Sequence, residues 1–145
     1  MTSTTAPAAV QLVRDVNRAM IAFDLALGTA AILRPDAALR AIGHAPPSDD
    51  ARELFRRNGP IWLTFAAAHV MAATRGSARD WWAVAWLRGT EVATDPLWSR
   101  SPGIRRAHNR AGLKVAGAFN LALALGAAHV ARTVARPGTP PEPGR

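Results

Sequence analysis

Along this chain the polar residues gather in clusters, and the stretches between them have the length and uniformity of helices. Residues 1–9 are small and polar and read as a disordered tail. A first helix is predicted from Val10 to Arg34, stopped by Pro35, and its inner part, Ala19 to Leu33, carries a single charge, Asp24. At about 1.5 Å per residue it reaches roughly 37 Å, enough to cross a bilayer. Residues 35–47 form a connector with room for about two helical turns, closed by Gly43 and broken at Pro46-Pro47. Ser48 caps a second helix, 48–75, with Asp49, Asp50 and Glu53 where the helix dipole favours acids. Its Asn58–Thr74 stretch holds seventeen uncharged residues, with Pro60 as a kink. A tight basic turn leads into a third helix, 80–95, ended by Pro96. Ser101-Pro102 reads as cap and first residue of a fourth, 102–135, with seventeen uncharged residues from Val115 to Ala131. Residues 137–145 are proline-rich and read as a second disordered tail.

The periodicity decides what surrounds these helices. A helix on the surface of a soluble bundle needs a continuous polar stripe. Between Ile61 and Ala73 the polar side chains are Thr64 and His69, and between Val115 and Ala131 they are Asn120 and His129. Neither pair makes a stripe. One domain of 145 residues has too little chain to cover two helices that are apolar all round. Gly112, Gly117 and the alanine runs suit close packing in lipid. Arginines at the helix ends and Trp62, Trp81, Trp82 and Trp98 near the predicted boundaries suit a membrane's edges. The expectation is an all-α protein, an up-and-down four-helix transmembrane bundle over 10–136, located in the cell membrane as a multi-pass protein. A soluble bundle is the competing expectation, since no stretch reaches eighteen charge-free residues and mean hydropathy is +0.01.

Composition narrows the chemistry. There is no cysteine, which excludes disulfides, thiolate metal sites and cysteine nucleophiles. The net charge of +8 is almost wholly arginine, with Lys114 the one lysine. That balance suits nucleic acid, an anionic membrane surface, or a genome that favours arginine codons. The start, Met1-Thr2-Ser3, lacks the basic and apolar regions of a signal peptide, so a spanning segment is expected to stay in the mature chain. Segments 34–57 and 96–114 together hold ten basic residues against seven on the other side, which places those loops in the cytoplasm.

The chemistry concentrates between Trp81 and Pro96. Helical spacing puts Trp81, Arg88, Glu91 and Asp95 on one face and Trp82, Trp86 and Thr90 on a second. In an up-and-down bundle Asp24 and Arg88 come to the same depth and are predicted neighbours, with Glu91 near the depth of Asn120 and Asp95 at the boundary. Such a set reads in two ways: a buried network that fixes helix register, or a polar cavity with Glu91 or Asp24 as acid or base, Arg88 setting its charge state, and Trp82 and Trp86 as an aromatic wall around a ligand that Asn120 and Asp95 help to hold. No cofactor or metal is expected; one alternative, a b-type haem between His69 and His129, competes with two histidines hydrogen-bonded at helix ends. The run Arg100–Arg110 contains no acid, and contact with anionic lipid head groups explains it more simply than nucleic acid, since no reader motif surrounds it.

Gly28 and Pro35, Gly43, Arg57-Asn58-Gly59 and the Arg88-to-Asp95 helix together resemble the DoxX-like small four-helix membrane proteins over roughly residues 14–132. The resemblance is one of layout and hydropathy and implies the same architecture. Some members of that group are associated with quinol-linked respiratory oxidases. Three functions remain open on the sequence. One is a membrane subunit or accessory protein whose partners are lipids and a helix of another protein. The second is a membrane enzyme (isomerase, cyclase or oxidoreductase type) acting on a lipophilic small molecule such as a quinone. The third is a soluble basic domain binding nucleic acid.

Overall fold

In a computed structural model the chain is described over residues 8–135, and those residues are all-helical: α1 (Ala8–Leu33), α2 (Pro35–Ala41), α3 (Asp49–Thr74), α4 (Ala78–Trp98) and α5 (Ala107–Ala135). An isolated bridge between His44 and Ile104 is the one β-type pairing among them. Ala8 and Ala9, expected in the N-terminal tail, are helical; the remainder of that tail and the proline-rich tail lie outside the described residues.

The ends of the helices follow the local chemistry. Pro35 stops α1 and starts α2 as its first residue, the place where a missing N–H costs nothing. Ser48 caps α3 by accepting the Ala51 N–H at 3.2 Å. Gly76, at φ 64°, makes the turn into α4 in a conformation other residues adopt with strain. Ser77 and Asp80 form a capping box there: the Asp80 N–H donates to Ser77 Oγ, and the Ser77 N–H and hydroxyl donate to Asp80 Oδ2. These donors, the Ser77 hydroxyl foremost, hold the Asp80 carboxyl below its ordinary range, and Arg75 adds to the effect.

Two predicted boundaries are corrected. Pro96 does not end α4. The helix runs on to Trp98, bridged by the Ser99 N–H donating to Asp95 O at 2.9 Å, while Gly117 of α5 lets a backbone lie against the proline ring; a Cβ there would meet Pro96 Cδ at 2.9 Å. The fourth long helix starts at Ala107 and not at 102, because residues 99–106 are committed to another contact. The Ala45 N–H donates to Gly103 O at 2.8 Å, Ile104 is fully buried, and Arg110 Nε donates to Ile104 O at 2.7 Å. The two longer loops thus clasp each other across one end of the bundle.

The four long helices run alternately up and down and pack as two pairs, α1 with α3 and α4 with α5, which meet each other over much shorter stretches. Glycines set the first pair's spacing: a Cβ on Gly28 would lie 2.9 Å from Gly59 O, and one on Gly59 would lie 2.9 Å from Gly28 O. At the end carrying the α3–α4 turn, the pairs join in a small-residue core of Ala68, Ala72, Trp81, Val84, Ala127 and Ala131. At the other end a second cluster gathers Ala31, Leu39, Phe55 and Trp62 under α2. Between these ends the pairs are bridged by Arg88 of α4, which bonds Asp24 of α1 and His69 of α3, and stand apart on the side of the clasped loops.

Two helices, α1 and α5, are long and apolar enough to cross a membrane, with mean hydropathy of 1.4 and 1.5 over their most apolar 18 residues. In each, 28% of that stretch is buried inside the protein, so most of its apolar surface points outward. The sequence pattern had singled out α3 with α5. α3 falls short because its charged first turns leave only the run from Asn58 onward, and Asn58, Gly59, Pro60 and His69 dilute the hydropathy of that run. Leu25, Trp86, Val115 and Leu125 are among the large apolar side chains left exposed.

Candidate functional site

Every long helix contributes a polar side chain to the middle of the bundle. On α1, Asn17, Met20, Asp24, Gly28 and Ala31 are buried in helical register, so Asn17 and Asp24 share the inward face. α3 supplies His69, α4 Arg88 and α5 Asn120, all buried. Arg88 is the hub. Its Nη2 pairs with Asp24 Oδ2, its Nε and Nη2 reach His69 Nε2 at 3.0 and 2.9 Å, and its Nη1 donates to Asn120 Oδ1 at 3.4 Å. Its guanidinium also lies over the Phe65 ring, 5.2 Å from the centroid.

The contacts settle the state of His69. A guanidinium carries only donors, so the Nε2 facing it holds a lone pair. The proton is then on Nδ1, which donates to Asn17 Oδ1 at 2.5 Å, while Asn17 Nδ2 donates to His69 O at 3.0 Å. The ring is neutral and locked at both nitrogens. Its Nε2 lies 3.7 Å from Asp24 Oδ2, a pair of acceptors held together by the shared arginine. On the other side, Asn120 Nδ2 donates to Asp95 Oδ2 at 3.0 Å, so one amide bridges Arg88 and Asp95, two turns apart on α4.

The predicted neighbours Asp24 and Arg88 are therefore an ion pair, and Asn120, Glu91 and Asp95 lie around it. Glu91 and Asp95 are half-buried, and Glu91 makes no side-chain hydrogen bond among the described residues. Asp24 Oδ1 is fully buried and has no hydrogen-bond partner among the described residues. All five residues face one cavity of about 1010 Å³ in the half of the bundle nearest the clasped loops, where the two helix pairs separate. The rest of its wall is mostly apolar, with Asn58, Thr94, His108 and Asn109 as its other polar side chains. Phe23, Phe55, Trp62, Trp98 and Phe119 line it, with Phe55 stacked obliquely on Trp62 and Trp98 at 5.3 and 6.0 Å between centroids. Small residues, among them Ala26, Ala30, Ala116 and Gly112, leave the volume open.

The tryptophans expected to form its aromatic wall are elsewhere. Trp82 and Trp86 occupy the outward face of α4, 45% and 76% exposed, and Trp82 carries the Arg132 guanidinium 5.4 Å from its ring centroid. The two-face reading of α4 holds, with Trp81 and Arg88 buried and Trp82, Trp86 and Thr90 outside; the second face is simply not the ligand's. The haem alternative fares no better. Both nitrogens of buried His69 are engaged and His129 is exposed, so His69 has none to offer iron as an axial ligand opposite His129. Among the described residues no group of three His, Asp or Glu side chains converges to hold a metal. The run from Arg100 to Arg110 is folded into the loop clasp and the start of α5, with Arg100, Arg105 and Arg106 exposed.

Asn17 and the real aromatic lining were missed on the sequence. Both left a signal. Asn17 stands seven residues before Asp24, and Phe55 seven before Trp62, each pair on one helical face. No protein-family model, no curated protein and no solved structure matches the chain.

Proposed function

We propose that this chain is a multi-pass membrane protein whose bundle holds a lipophilic small molecule between its two helix pairs, serving as a binding subunit or accessory protein. The observation that carries the reading is the cavity itself, with aromatic and aliphatic walls meeting a charged floor inside helices whose apolar faces point outward. A pocket of a few hundred to a thousand cubic ångströms with few convergent polar groups is the usual form of a small-molecule site. Intramembrane ionisable groups are costly and mark function by default. The likeness of layout to DoxX-like proteins supports the same reading. So does the large outward apolar surface, which in water is an aggregation liability and in lipid is ordinary.

A carbonate wash of membranes from expressing cells, then mild detergent and titration with a neutral lipophilic fluorophore such as N-phenyl-1-naphthylamine, tests both halves. The expected result is a carbonate-resistant protein that binds the probe saturably. Release into the soluble fraction sinks the membrane half, and only non-saturable partition sinks the ligand half. A second reading, in which the bound molecule undergoes acid–base chemistry, is favoured by Glu91, a carboxylate on the cavity wall with no hydrogen-bond partner. Glu91→Gln separates it from simple binding, since it removes the proton-transfer group and keeps the shape.

A further inference from the structure

We infer that the cavity selects a lipophilic cation: an amphiphile carrying a protonated amine or other positive group on an aromatic or aliphatic body. This deepens the ligand-binding reading above and rests on it.

The donors and acceptors facing the cavity do not balance. Three carboxylates, Asp24, Glu91 and Asp95, meet one guanidinium, Arg88. Arg88 has five N–H donors, and four are occupied, by Asp24, Asn120 and the doubly contacted His69 Nε2. Asn120 is committed on both sides, accepting from Arg88 and donating to Asp95. Within the charged cluster the unused groups are acceptors: Asp24 Oδ1, buried without a partner among the described residues, and the Glu91 carboxylate; Asn58, His108 and Asn109 also line the wall and lie outside that cluster. An orphaned buried acceptor is expensive, and a carboxylate more so.

Those leftovers discriminate between head groups. A carbonyl or quinone head meets one free N–H of Arg88 and several competing acceptors. An anionic head meets carboxylates from two helices, Asp24 on α1 and Glu91 and Asp95 on α4. A cation finds the missing counter-charge on Glu91 and donates to it. The body of the ligand then lies along the walls formed by Phe23, Phe55, Trp62, Trp98 and Phe119, whose ring faces attract positive charge as well as apolar surface. Both features ask for the same molecule.

The test uses the full chain purified in neutral detergent, with detergent alone as blank, and three probes. Tetraphenylphosphonium and tetraphenylborate share one shape with opposite charge, and N-phenyl-1-naphthylamine is neutral. Tetraphenylphosphonium, which has no N–H and therefore tests charge alone, should bind saturably and about tenfold or more tighter than tetraphenylborate, as the Coulombic attraction of one carboxylate at a half-buried site supplies. Glu91→Gln should weaken the cation by about tenfold and the neutral probe by much less, so that the ratio of the two affinities falls. Gly112→Leu should weaken both, because Gly112 lines the cavity and a Cβ there meets nothing within 4 Å, so the added side chain takes cavity space without displacing a neighbour. Should Glu91→Gln not fold, Asp95→Asn carries the same comparison. If the neutral probe binds and is lost with Gly112→Leu, but the two ions bind alike or Glu91→Gln leaves the cation unchanged, charge selection is wrong and the lipophilic site stands. If no probe binds, the site itself is wrong, and this inference with it.

Discussion

Arg88→Met is the substitution that asks most of the polar network. Methionine keeps an unbranched apolar stem but lacks the guanidinium that lies over Phe65, and so removes every donor at once. Asp24 Oδ2 then loses its ion-pair partner while Oδ1 already has none, and His69 Nε2 and Asn120 Oδ1 lose their donors as well. Asp24 is fully buried and Arg88 is 3% exposed, so water cannot take over. Removing one partner of a buried pair costs about 3–5 kcal/mol, and the insertion cost of an unpaired aspartate at the centre of a membrane helix is of the same order, roughly 3 kcal/mol. Two routes of estimation therefore agree. The double variant Asp24→Asn/Arg88→Met removes the stranded charge, and its amide sits where Asp24 Oδ2 was 3.7 Å from His69 Nε2, within a small shift of donating to it. It should recover about 2 kcal/mol of the loss. The assay is the thermal unfolding midpoint of four proteins in one detergent (the parent, Arg88→Met, Asp24→Asn and the double variant), followed by circular dichroism. An Arg88→Met variant as stable as the parent, or a double variant as unstable as the sum of its parts, refutes the claim that Arg88 neutralises Asp24.

Three further outcomes follow from other contacts. Asn17→Ala strands the Nδ1–H of neutral His69 and one side of the His69 carbonyl, and should lower stability by about 1–3 kcal/mol in the same melt, whereas Asn17→Asp, which keeps the acceptor but loses the donor and adds a charge, should not restore it. Gly28→Val places side-chain atoms against the Gly59 carbonyl and Leu63, and should cost roughly 1–3 kcal/mol; Gly112→Val, in open space, should cost nothing, since valine is the better helix former. Asp80 tests the sign of a pH effect. Its folded carboxyl titrates below its unfolded value of about 3.9, so the native state binds fewer protons there, the contribution is complete above that value, and it is lost as pH falls through the lower folded one. The gap in melting temperature between parent and Asp80→Asn should therefore be full at pH 7 and narrow towards pH 2; a gap that widens on acidification contradicts the capping box.

What the sequence could and could not say divides along one line. Positions governed by local rules were legible. Ser48 as a cap, Pro35 as a stop and the two faces of α4 all follow from chemistry within a few residues. The Asp24–Arg88 pair was also reachable, because an up-and-down path through helices of similar length sets depth by counting. Rotation about each helix axis between non-adjacent elements was not. Trp82 and Trp86, on one face of α4, carry the same kind of spacing signal as Phe55 and Trp62 on one face of α3, and only the way each helix packs decides which pair faces inward. Pro96 was misread for a related reason. A proline near a helix end looks like a stop unless the glycine that receives its ring, Gly117, is known to be its neighbour.

The same packing explains why a cavity persists at all. If the bundle sits in lipid, as proposed, no hydrophobic force drives the helix pairs together, and their separation is set by backbone contacts and polar bonds. Here those are concentrated at three levels. The alanine-rich core joins the pairs at one end, the clasp of the 42–46 and 99–106 loops closes the other, and the Arg88 hub ties α1, α3 and α5 to α4 between them. Below the hub, on the side of the clasp, the facing positions are small: Ala26, Ala30, Ala38 and Ala41 on α1 and α2, Gly112 and Ala116 on α5. Side chains that size cannot meet across the gap, and the fixed levels keep the helices from closing it. Had register alone been the purpose of the network, leucines at those six positions would fill the space at no cost to any hydrogen bond. The open wall beside an unsatisfied carboxylate is what makes a bound molecule the better account of the site than a purely structural one.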